Sequence, residues 1–487
     1  MSLTSSSAEL AVLDPRTPQA YADGHLAIAS NAPYQELEAC APRLVPRRGT
    51  PVVLAGDPET DARAADVLAR LGYTDVRPLD GGVDGWRRSG GRVYTGTNVR
   101  SKALGEWVER RYGTPAVDPE TVRSWLDDGV DVLIVDSRTT AEYRHHHIPG
   151  GLHTGGGAEV VYRVGPALRG PDTRVVVNCQ GRTRGIMGAQ SLINAGLPNP
   201  VYSLRNGTPA WQWAGLPLAG GDGDRLDAPP EPSAEARRWA DRTLAGLATA
   251  PAYDLDATTY LLDVRSAEEH AAGHPPGSVS APGGQLVQAF DTYVAVRGAR
   301  LVLIDTPDRI RAATTAHWLR YLHDGPIAVI TPDAPVPEPP APPVLPSVGR
   351  VSWKGLADGT LLYDLRSSAA YLAGHVPDAV HVRRETLDRL VDEGERGPLA
   401  LIGDAAFAPE YVAADLAARG VDVAVLGGGA PSTTADPVLA AGVQDRVGAP
   451  DFGPERDAWY RAYFAWELSL PELTAGDPLF DFDRVAP

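Results

Sequence analysis

Residues 174–197 read RVVVNCQGRTRGIMGAQSLINAGL, an apolar β-branched run followed by a glycine-rich loop and then by a helical pattern. Such a run leading into an amphipathic helix is typical of a β-α unit in a parallel sheet. Three further stretches, 51–73, 300–322 and 398–420, show the same arrangement. The sequence therefore predicts an α/β fold built from related units.

A second motif precedes each of these β-α units. An apolar run ends in Asp-x-Arg, and a histidine follows 11 positions after the aspartate in four pairs: Asp14 and His25, Asp136 and His147, Asp263 and His274, Asp364 and His375. Recurrence at a fixed spacing is the sequence signature of a repeat architecture. The chain thus contains four copies of one supersecondary unit.

The motifs and the linkers between them set the predicted boundaries. We place repeat 1 at 1–97, repeat 2 at 98–220, repeat 3 at 221–332, repeat 4 at 347–437 and a C-terminal tail at 438–487. The tail is rich in Trp, Tyr and Phe, so we expect it to pack back on the domains. The linker Thr331–Pro346 contains eight prolines and should be extended.

Composition excludes several classes of protein. A chain of 487 residues exceeds what one hydrophobic core usually serves. The net charge of −17 disfavours nucleic-acid and anionic-membrane partners, and an anionic substrate would need local positive charge. The beginning, MSLTSSSAEL, resembles no secretion signal, and two cysteines form no disulfide framework. We therefore expect a cytoplasmic protein.

Taken together, the motifs resemble the rhodanese family of sulfurtransferases over nearly the whole chain. Repeat 2 is the best match, with IVDSR at 134–138, EYRHHHIPGG at 142–151, VVVNCQGRTRG at 175–185 and LRNGTPAW at 204–211. The resemblance implies tandem domains, each an open parallel sheet of about five strands flanked by helices. It also implies a persulfide-forming cysteine.

Cys179 lies directly after a strand pattern and before a helix that we expect to start near Ile186. Loops at the carboxyl ends of parallel strands are where α/β proteins place ligands. Two glycines, the helix N-terminus and two arginines should favour the thiolate, which is the nucleophile. We expect Cys179 to be catalytic and the following residues to bind substrate: Gln180, Gly181, Arg182, Thr183, Arg184, Gly185 and Arg138 of the Asp-x-Arg motif.

The length of the loop separates two chemistries. A Cys-x5-Arg loop is wide enough for phosphate in phosphatases of related fold. From Cys179 to Arg184 the loop is one residue shorter, the length that the rhodanese family uses for sulfane sulfur. Phosphate or arsenate chemistry on Cys179 therefore ranks behind sulfur transfer.

Arg138 keeps two interpretations, whereas the histidine run and Cys40 are each assigned one. Arg138 is equally suited to holding an anionic donor, as in related two-domain rhodaneses, and to pairing with Asp136, because a planar guanidinium fits either role. The adjacent histidines 145–147 point in different directions and do not suggest a metal site. We expect no metal and no other cofactor, and we interpret Cys40 as a packing or surface thiol.

The other three repeats lack the cysteine. Alignment of the β-α units by their helices places Ala55, Asp305 and Gly403 near its position, and none of these can form a persulfide. Inactive units of the family pack on the active one and shape its cleft, so we assign this role to repeat 1. Repeats 3 and 4 would then dock a protein or mediate self-association.

The expected function is a ping-pong sulfur transfer. An anionic donor, such as thiosulfate, a mercaptopyruvate-like thiol or a persulfide, would leave its outer sulfur on Cys179. A thiol, cyanide or a protein cysteine would then accept it. The expected partners are a small anionic donor and a protein that donates or accepts sulfur, with neither nucleic acid nor membrane. The alternative is a non-catalytic interaction scaffold, because three repeats lack the cysteine.

Overall fold

The computed structural model describes residues 9–247, 258–339, 343–405, 407–440, 442–450 and 453–485. The first eight residues, which carry most of the expectation that the chain has no secretion signal, lie outside the described part, as do 340–342 of the proline-rich linker. Among the described helices, none is long and apolar enough to cross a membrane.

Repeat 1 alternates strands with helices in the predicted order. Its strands are β1 (Leu10–Asp14), β2 (Ser30–Asn31), β3 (Val52–Leu54) and β4 (Val76–Pro78), and its helices are α1 (Pro18–Asp23), α2 (Leu37–Leu44), α3 (Pro58–Arg70) and α4 (Gly82–Arg88). Strand β1 pairs in parallel with β2 and β3, and β3 pairs in parallel with β4.

A linker helix, α5 (Val99–Tyr112), precedes the sheet of repeat 2. The strands are β5 (Ala116–Val117), β6 (Val132–Asp136), β7 (Leu152–His153), β8 (Arg174–Asn178) and β9 (Val201–Leu204). They form a five-stranded parallel sheet of order β5-β9-β8-β6-β7. Its helices are α6 (Pro119–Asp127), α7 (Thr140–His145), α8 (Glu159–Ala167), α9 (Thr183–Ala195) and α10 (Gly207–Trp213).

Repeat 3 begins with a helix, α11 (Ala234–Leu244). Its strands are β10 (Thr259–Asp263), β11 (Val279–Ser280), β12 (Val296–Arg297), β13 (Arg300–Ile304) and β14 (Ile327–Ile330), of which β11-β10-β13-β14 form a four-stranded sheet. Its remaining helices are α12 (Ala267–Ala272), α13 (Gly283–Gln288) and α14 (Ile310–Leu322).

Repeat 4 contains a six-stranded sheet of order β15-β19-β18-β16-β17-β20. The strands are β15 (Arg350–Val351), β16 (Leu361–Asp364), β17 (Val380–His381), β18 (Leu399–Ile402), β19 (Val423–Leu426) and β20 (Val438–Leu439). The helices are α15 (Ser368–Ala373), α16 (Arg384–Asp392) and α17 (Pro409–Ala418), and the tail forms α18 (Pro454–Leu473). The predicted fold class, tandem open parallel sheets flanked by helices, is confirmed.

The Asp-x-Arg motif has the same structural role in all four repeats. The aspartate ends the first long strand, and its carboxylate accepts from the arginine two residues later. The same guanidinium also donates to a backbone carbonyl eight residues further on, in the pairs Arg16 and Gly24, Arg138 and His146, Arg265 and Gly273, Arg366 and Gly374. The motif therefore ties each strand end to the loop that follows the next helix.

The chain divides into two compact units. One consists of Met1–Glu9, Asn98–Pro340 and Ala449–Pro487, and the other of Leu10–Thr97 and Ala341–Gly448. Repeat 2 thus shares its unit with repeat 3 and α18, and repeat 1 shares its unit with repeat 4. Within the first unit, the inactive repeat that packs on repeat 2 is repeat 3, a role that we had assigned from sequence to repeat 1.

Side chains buried between repeats 2 and 3 support this pairing. The indole of Trp318 on α14 donates a 2.9 Å hydrogen bond to the Ser191 hydroxyl on α9. The guanidinium of Arg311 lies 3.0 Å from the carboxylate of Glu159 on α8. Both arginine and carboxylate are buried, so the pair is costly to separate.

Candidate active site

Cys179 follows the last residue of β8 and precedes α9. The helix begins at Thr183, three residues earlier than we expected, which places Arg184 and Gly185 in its first turn. The first backbone N–H groups of a helix have no partner within the helix and can point at an anion. The Gly181 N–H lies 3.3 Å from Sγ of Cys179, and a Cβ atom built on Gly185 would lie 3.6 Å from this sulfur.

The strand register identifies the counterparts of Cys179 in the other repeats. In repeats 2, 3 and 4 the motif aspartate pairs with the last residue of the strand that precedes the loop, which is β8, β13 or β18. The pairs are Asp136↔Asn178, Asp263↔Ile304 and Asp364↔Ile402. The next residues are Cys179, Asp305 and Gly403, as predicted.

Repeat 1 differs by one position, because Ala55, predicted near the cysteine position, lies one residue before it. Its register ends with Leu13↔Leu54, so Ala55 lies opposite Asp14. The carbonyl of Gly56 accepts from the first turn of α4, as the carbonyl of Cys179 accepts from Thr208. Gly56 is therefore the counterpart of Cys179.

In the corresponding loops of repeats 1 and 3, carboxylates accept hydrogen bonds from backbone N–H groups. In repeat 1, Asp61 accepts from the Gly56 N–H at 2.9 Å. In repeat 3, Asp305 accepts from the Ala312 N–H at 2.8 Å and from Arg311. An anionic substrate would meet negative charge in both loops, so neither offers an anion site.

Cys179 is more deeply buried than its polar sequence neighbours suggested. Its side chain is only 2% exposed. Burial raises the pKa of the Cys179 thiol, although Arg184 and the Gly181 and Gly185 amides act in the opposite direction. A further rise comes from the negative charge of Glu467. The expectation that the loop favours the thiolate is therefore wrong for this arrangement, because burial outweighs the nearby positive charges.

Arg138 is fully buried and bound to protein groups. Its guanidinium lies 2.8 Å from the Asp136 carboxylate, and it donates to the His146 carbonyl at 2.7 Å. Its remaining contact is to Oε1 of Gln180, at 2.9 Å. The geometry places Arg138 behind the loop, where it holds the residue that follows Cys179.

The two loop arginines are also paired with carboxylates. Arg182 donates to Glu106 at 2.7 and 2.8 Å and contacts Glu109, both on α5. Arg184 donates to Glu142 at 2.6 and 2.7 Å. Although burial opposes ionisation, the Arg184 guanidinium holds the pKa of Glu142 at about 2. Both arginines thus remain cationic but partly neutralised.

Helix α18 covers the loop, a feature that we did not assign to the site from sequence. The Tyr460 hydroxyl accepts a 2.6 Å hydrogen bond from Nε2 of Gln180, and Glu467 accepts a 2.7 Å bond from the Thr183 hydroxyl. A Cβ atom built on Gly181 would lie 3.4 Å from Phe464. The aromatic composition of the tail was the only sequence signal for this contact.

A cavity of about 560 Å³ is lined by residues of α7, α10, α18 and adjoining segments, none of them from the Cys179–Gly185 loop. Its lining includes His146, Trp213 and Arg456. Nε2 of His146 lies 3.1 Å from Oε1 of Gln180, which connects the cavity wall to the residue after Cys179. The volume is in the range of pockets that hold small molecules.

Cys40 lies in the other unit, on α2. It is half-buried, and burial raises the pKa of its thiol to about 12. At such a pKa the thiolate is scarce near neutral pH, so Cys40 is a poor nucleophile.

Comparison with known proteins places these features in context. The family model for the rhodanese-like domain matches residues 3–89 and 118–214. A thiosulfate sulfurtransferase from Pseudomonas aeruginosa is 36% identical over 97% of this chain and 96% of its own, with a TM-score of 0.87. No curated protein matches the chain significantly.

Two further solved structures resemble parts of the chain. The crystal structure described for the 3-mercaptopyruvate sulfotransferases of Escherichia coli is 17% identical, covers 45% of this chain and 99% of its own, and has a TM-score of 0.21. A Rhodopseudomonas palustris protein described as a possible tyrosine phosphatase is 25% identical, covers 24% of this chain and 94% of its own, and has a TM-score of 0.21.

Proposed function

Because the chain belongs to the rhodanese family, we propose that it transfers sulfane sulfur from thiosulfate through a persulfide on Cys179. The observation that carries the proposal is the position of this thiol. Cys179 follows the central strand β8, and the Gly181 N–H points at its sulfur. Of the four structurally equivalent positions, occupied by Gly56, Cys179, Asp305 and Gly403, this is the one that holds a thiol.

The choice of thiosulfate as donor rests on the relative that matches nearly the whole chain. Thiosulfate is the substrate in the name of the Pseudomonas aeruginosa protein, which shares 36% identity over 97% of this chain. Mercaptopyruvate-like thiols and low-molecular-weight persulfides are the competing donors. The acceptor is a thiol, cyanide or a protein cysteine, and a reducing cytoplasm would keep Cys179 available.

The first half-reaction balances without a cofactor. The Cys179 thiol first loses its proton to water, and the resulting thiolate attacks the outer sulfur of thiosulfate. A bond forms between Sγ and that sulfur, the sulfur–sulfur bond of thiosulfate breaks, and sulfite leaves with the bonding pair. The Gly181 and Gly185 amides would stabilise the resulting persulfide anion, as backbone N–H groups stabilise anions elsewhere.

The arginines then have different roles. Arg184, in the first turn of α9, offsets negative charge at the sulfur while Glu142 fixes its orientation. Arg138 positions the loop through Gln180. Arg182 joins the loop to α5 through Glu106. Only Arg184 is proposed to act electrostatically on the reacting sulfur.

Access to the sulfur requires movement of α18 or entry beside it, since Cys179 is 2% exposed. We propose the cavity lined by His146 and Arg456 as the entry for a small donor, because Nε2 of His146 in its wall lies 3.1 Å from Oε1 of Gln180. A protein acceptor would have to displace α18, because Phe464 lies against the loop. Small acceptors are therefore favoured.

The test is a steady-state assay of the full chain with cyanide as acceptor and thiocyanate as the measured product. Thiosulfate, mercaptopyruvate and glutathione persulfide serve as alternative donors. The proposal requires turnover with thiosulfate and its loss in the Cys179→Ser variant. Turnover with mercaptopyruvate alone would mean that the donor is a mercaptopyruvate-like thiol and not thiosulfate. The absence of turnover with every donor would favour the non-catalytic scaffold.

A further inference from the structure

The chain is almost free of lysine. Of its 45 basic residues only two, Lys102 and Lys354, are lysines. Lys354 is exposed in repeat 4, whereas Lys102 is 8% exposed on α5 in the unit that contains Cys179. Lysines are seldom buried unless their charge has a partner. A buried lysine beside the proposed reaction centre therefore needs an explanation.

Lys102 is held against the active-site loop by the packing of α5. Gly105, three residues further along the helix, approaches Thr183 so closely that a Cβ atom on it would lie 2.9 Å from the Thr183 methyl group. Residues three apart share one face of a helix, so Lys102 lies on the face that packs toward the loop. Burial lowers the pKa of Lys102 and the charge of Arg184 lowers it further, whereas the charges of Glu467 and of an ionised Cys179 raise it, so Glu467 and Cys179 are both within electrostatic reach.

The partner of Lys102 is neutral. Its Nζ donates a 2.5 Å hydrogen bond to the hydroxyl of Tyr463 on α18 and lies 5.0 Å from the centre of that ring. Within the described parts of the chain, no carboxylate forms a salt bridge with Lys102. Tyr463 lies over the loop, since a Cβ atom on Gly181 would be 3.7 Å from its ring.

The three arginines near Cys179 contrast with this lysine. Arg138, Arg182 and Arg184 each form short ion pairs with a carboxylate. These ion pairs partly offset their charges before any substrate arrives. A dianionic donor approaching a protein of net charge −17 is best served by a cation that is not held in a short ion pair, and Glu467 acts on Lys102 without forming one.

We infer that the Lys102 ammonium, together with the Tyr463 hydroxyl, binds the sulfonate end of thiosulfate beside Cys179. This inference rests on the proposed function, because it assigns a donor subsite to the same reaction. The donor's outer sulfur would face Sγ, and its negatively charged oxygens would accept hydrogen bonds from Nζ and from the phenol. Tyr463 and Lys102 come from α18 and α5, so segments outside the repeat 2 sheet complete the site.

Replacement of Glu467 is a control that should change the affinity for the donor in the opposite direction. It is fully buried, one of its oxygens has no hydrogen-bond partner among the described residues, and its charge acts on both Lys102 and Cys179. Its negative charge opposes the entry of a dianion. Glu467→Gln should therefore strengthen donor binding, whereas Lys102→Met should weaken it.

Donor binding can be measured without turnover by titrating thiosulfate into the full-length Cys179→Ser protein in a calorimeter. Adding Lys102→Met should raise the dissociation constant by about 10- to 100-fold, as expected when a charged hydrogen-bond partner is lost. Adding Lys102→Arg should restore most of the affinity. The matched surface variant, Lys354→Met, should leave it unchanged, and Glu467→Gln should lower the dissociation constant.

The outcomes separate this inference from the proposed function. If Lys102→Met binds thiosulfate as tightly as the parent Cys179→Ser protein, the lysine assignment is wrong, even when the wild-type enzyme turns over. If the parent binds thiosulfate in a Lys102-dependent manner but the wild type forms no persulfide, the subsite stands and the catalytic proposal fails. If the parent does not bind thiosulfate, the subsite assignment is also wrong.

Discussion

Arg138 donates a 2.9 Å hydrogen bond to Oε1 of Gln180, the residue that follows Cys179. This contact links a structural motif present in all four repeats to the one loop that carries a cysteine. In repeats 3 and 4, within the described residues, Arg265 and Arg366 bind their motif aspartate and a glycine carbonyl but no loop side chain. Repeat 2 therefore uses a common structural pair to position its own loop.

Removal of the Asp136 charge should destabilise the protein and lower sulfur transfer. In Asp136→Asn the fully buried Arg138 would lose its counter-charge, which typically costs about 3–5 kcal/mol. The free energy of unfolding is measured by denaturant titration followed by tryptophan fluorescence. The matched variant Asp364→Asn should lose less stability, since Arg366 is part-exposed, and should keep full transfer. Equal transfer rates in the two variants would contradict the role of Arg138.

Gly207 determines how closely α10 approaches the loop. Its φ is +54°, and a Cβ atom on it would lie 2.2 Å from the carbonyl oxygen of Cys179. Gly207→Ala should shift the loop, cost about 1–3 kcal/mol of stability and reduce transfer. Gly82 in repeat 1 has the same geometry, with its Cβ position 2.2 Å from the Gly56 oxygen.

Gly82→Ala is therefore the control for Gly207→Ala. It should cause a comparable loss of stability in thermal unfolding while thiocyanate production is unchanged. A similar loss of activity in both glycine variants would show that transfer depends on general stability rather than on the Cys179 loop.

The reactivity of Cys179 should rise with pH into the alkaline range. Burial raises the pKa of its thiol above the usual value, so the reactive thiolate accumulates only as pH approaches and passes that higher pKa. The rate of alkylation by iodoacetamide, followed at Cys179 by peptide mass spectrometry, measures this profile. Glu467→Gln removes a negative charge that raises the same pKa and should move the profile to lower pH. If the pH profile of Glu467→Gln does not shift, the charge of Glu467 does not raise the pKa of Cys179.

Phe464 should control access to the sulfur. It is buried against Gly181, so Phe464→Ala should open the loop to solvent and cost about 3–5 kcal/mol. Alkylation of Cys179 should become faster at constant pH. Phe480, another buried aromatic residue of the tail, packs on Phe482, and Phe480→Ala should leave the alkylation rate nearly unchanged. Equal acceleration in both variants would mean that the whole tail detaches.

The repeat architecture and the loop could be predicted from sequence because both depend on local patterns. The alternation of apolar runs and amphipathic helices, with Asp-x-Arg at constant spacing, indicates the parallel sheets directly. The sequence located the counterpart of Cys179 in repeat 1 only to within one residue, because helix patterns align less strictly than strand register, which is set by backbone hydrogen bonds between β1 and β3.

Contacts between distant segments could not be predicted in the same way. Glu142, Glu106 and Glu467 neutralise or oppose the charges of the loop, yet they lie far from Cys179 in sequence. For this reason the loop looked strongly electropositive and favourable to the thiolate. The scarcity of lysine was visible in the sequence, but only the packing of α5 shows that Lys102 lies beside the site.

The most direct test of the central claim is the intact mass of the full-length protein after incubation with thiosulfate and removal of excess donor. The wild type and Cys40→Ser should each gain one sulfur atom, located by peptide mapping on Cys179, and cyanide should remove it. Cys179→Ser should gain none. A wild-type protein whose mass does not change, or a Cys179→Ser variant that gains sulfur, would contradict the assignment of Cys179 as the sulfur carrier.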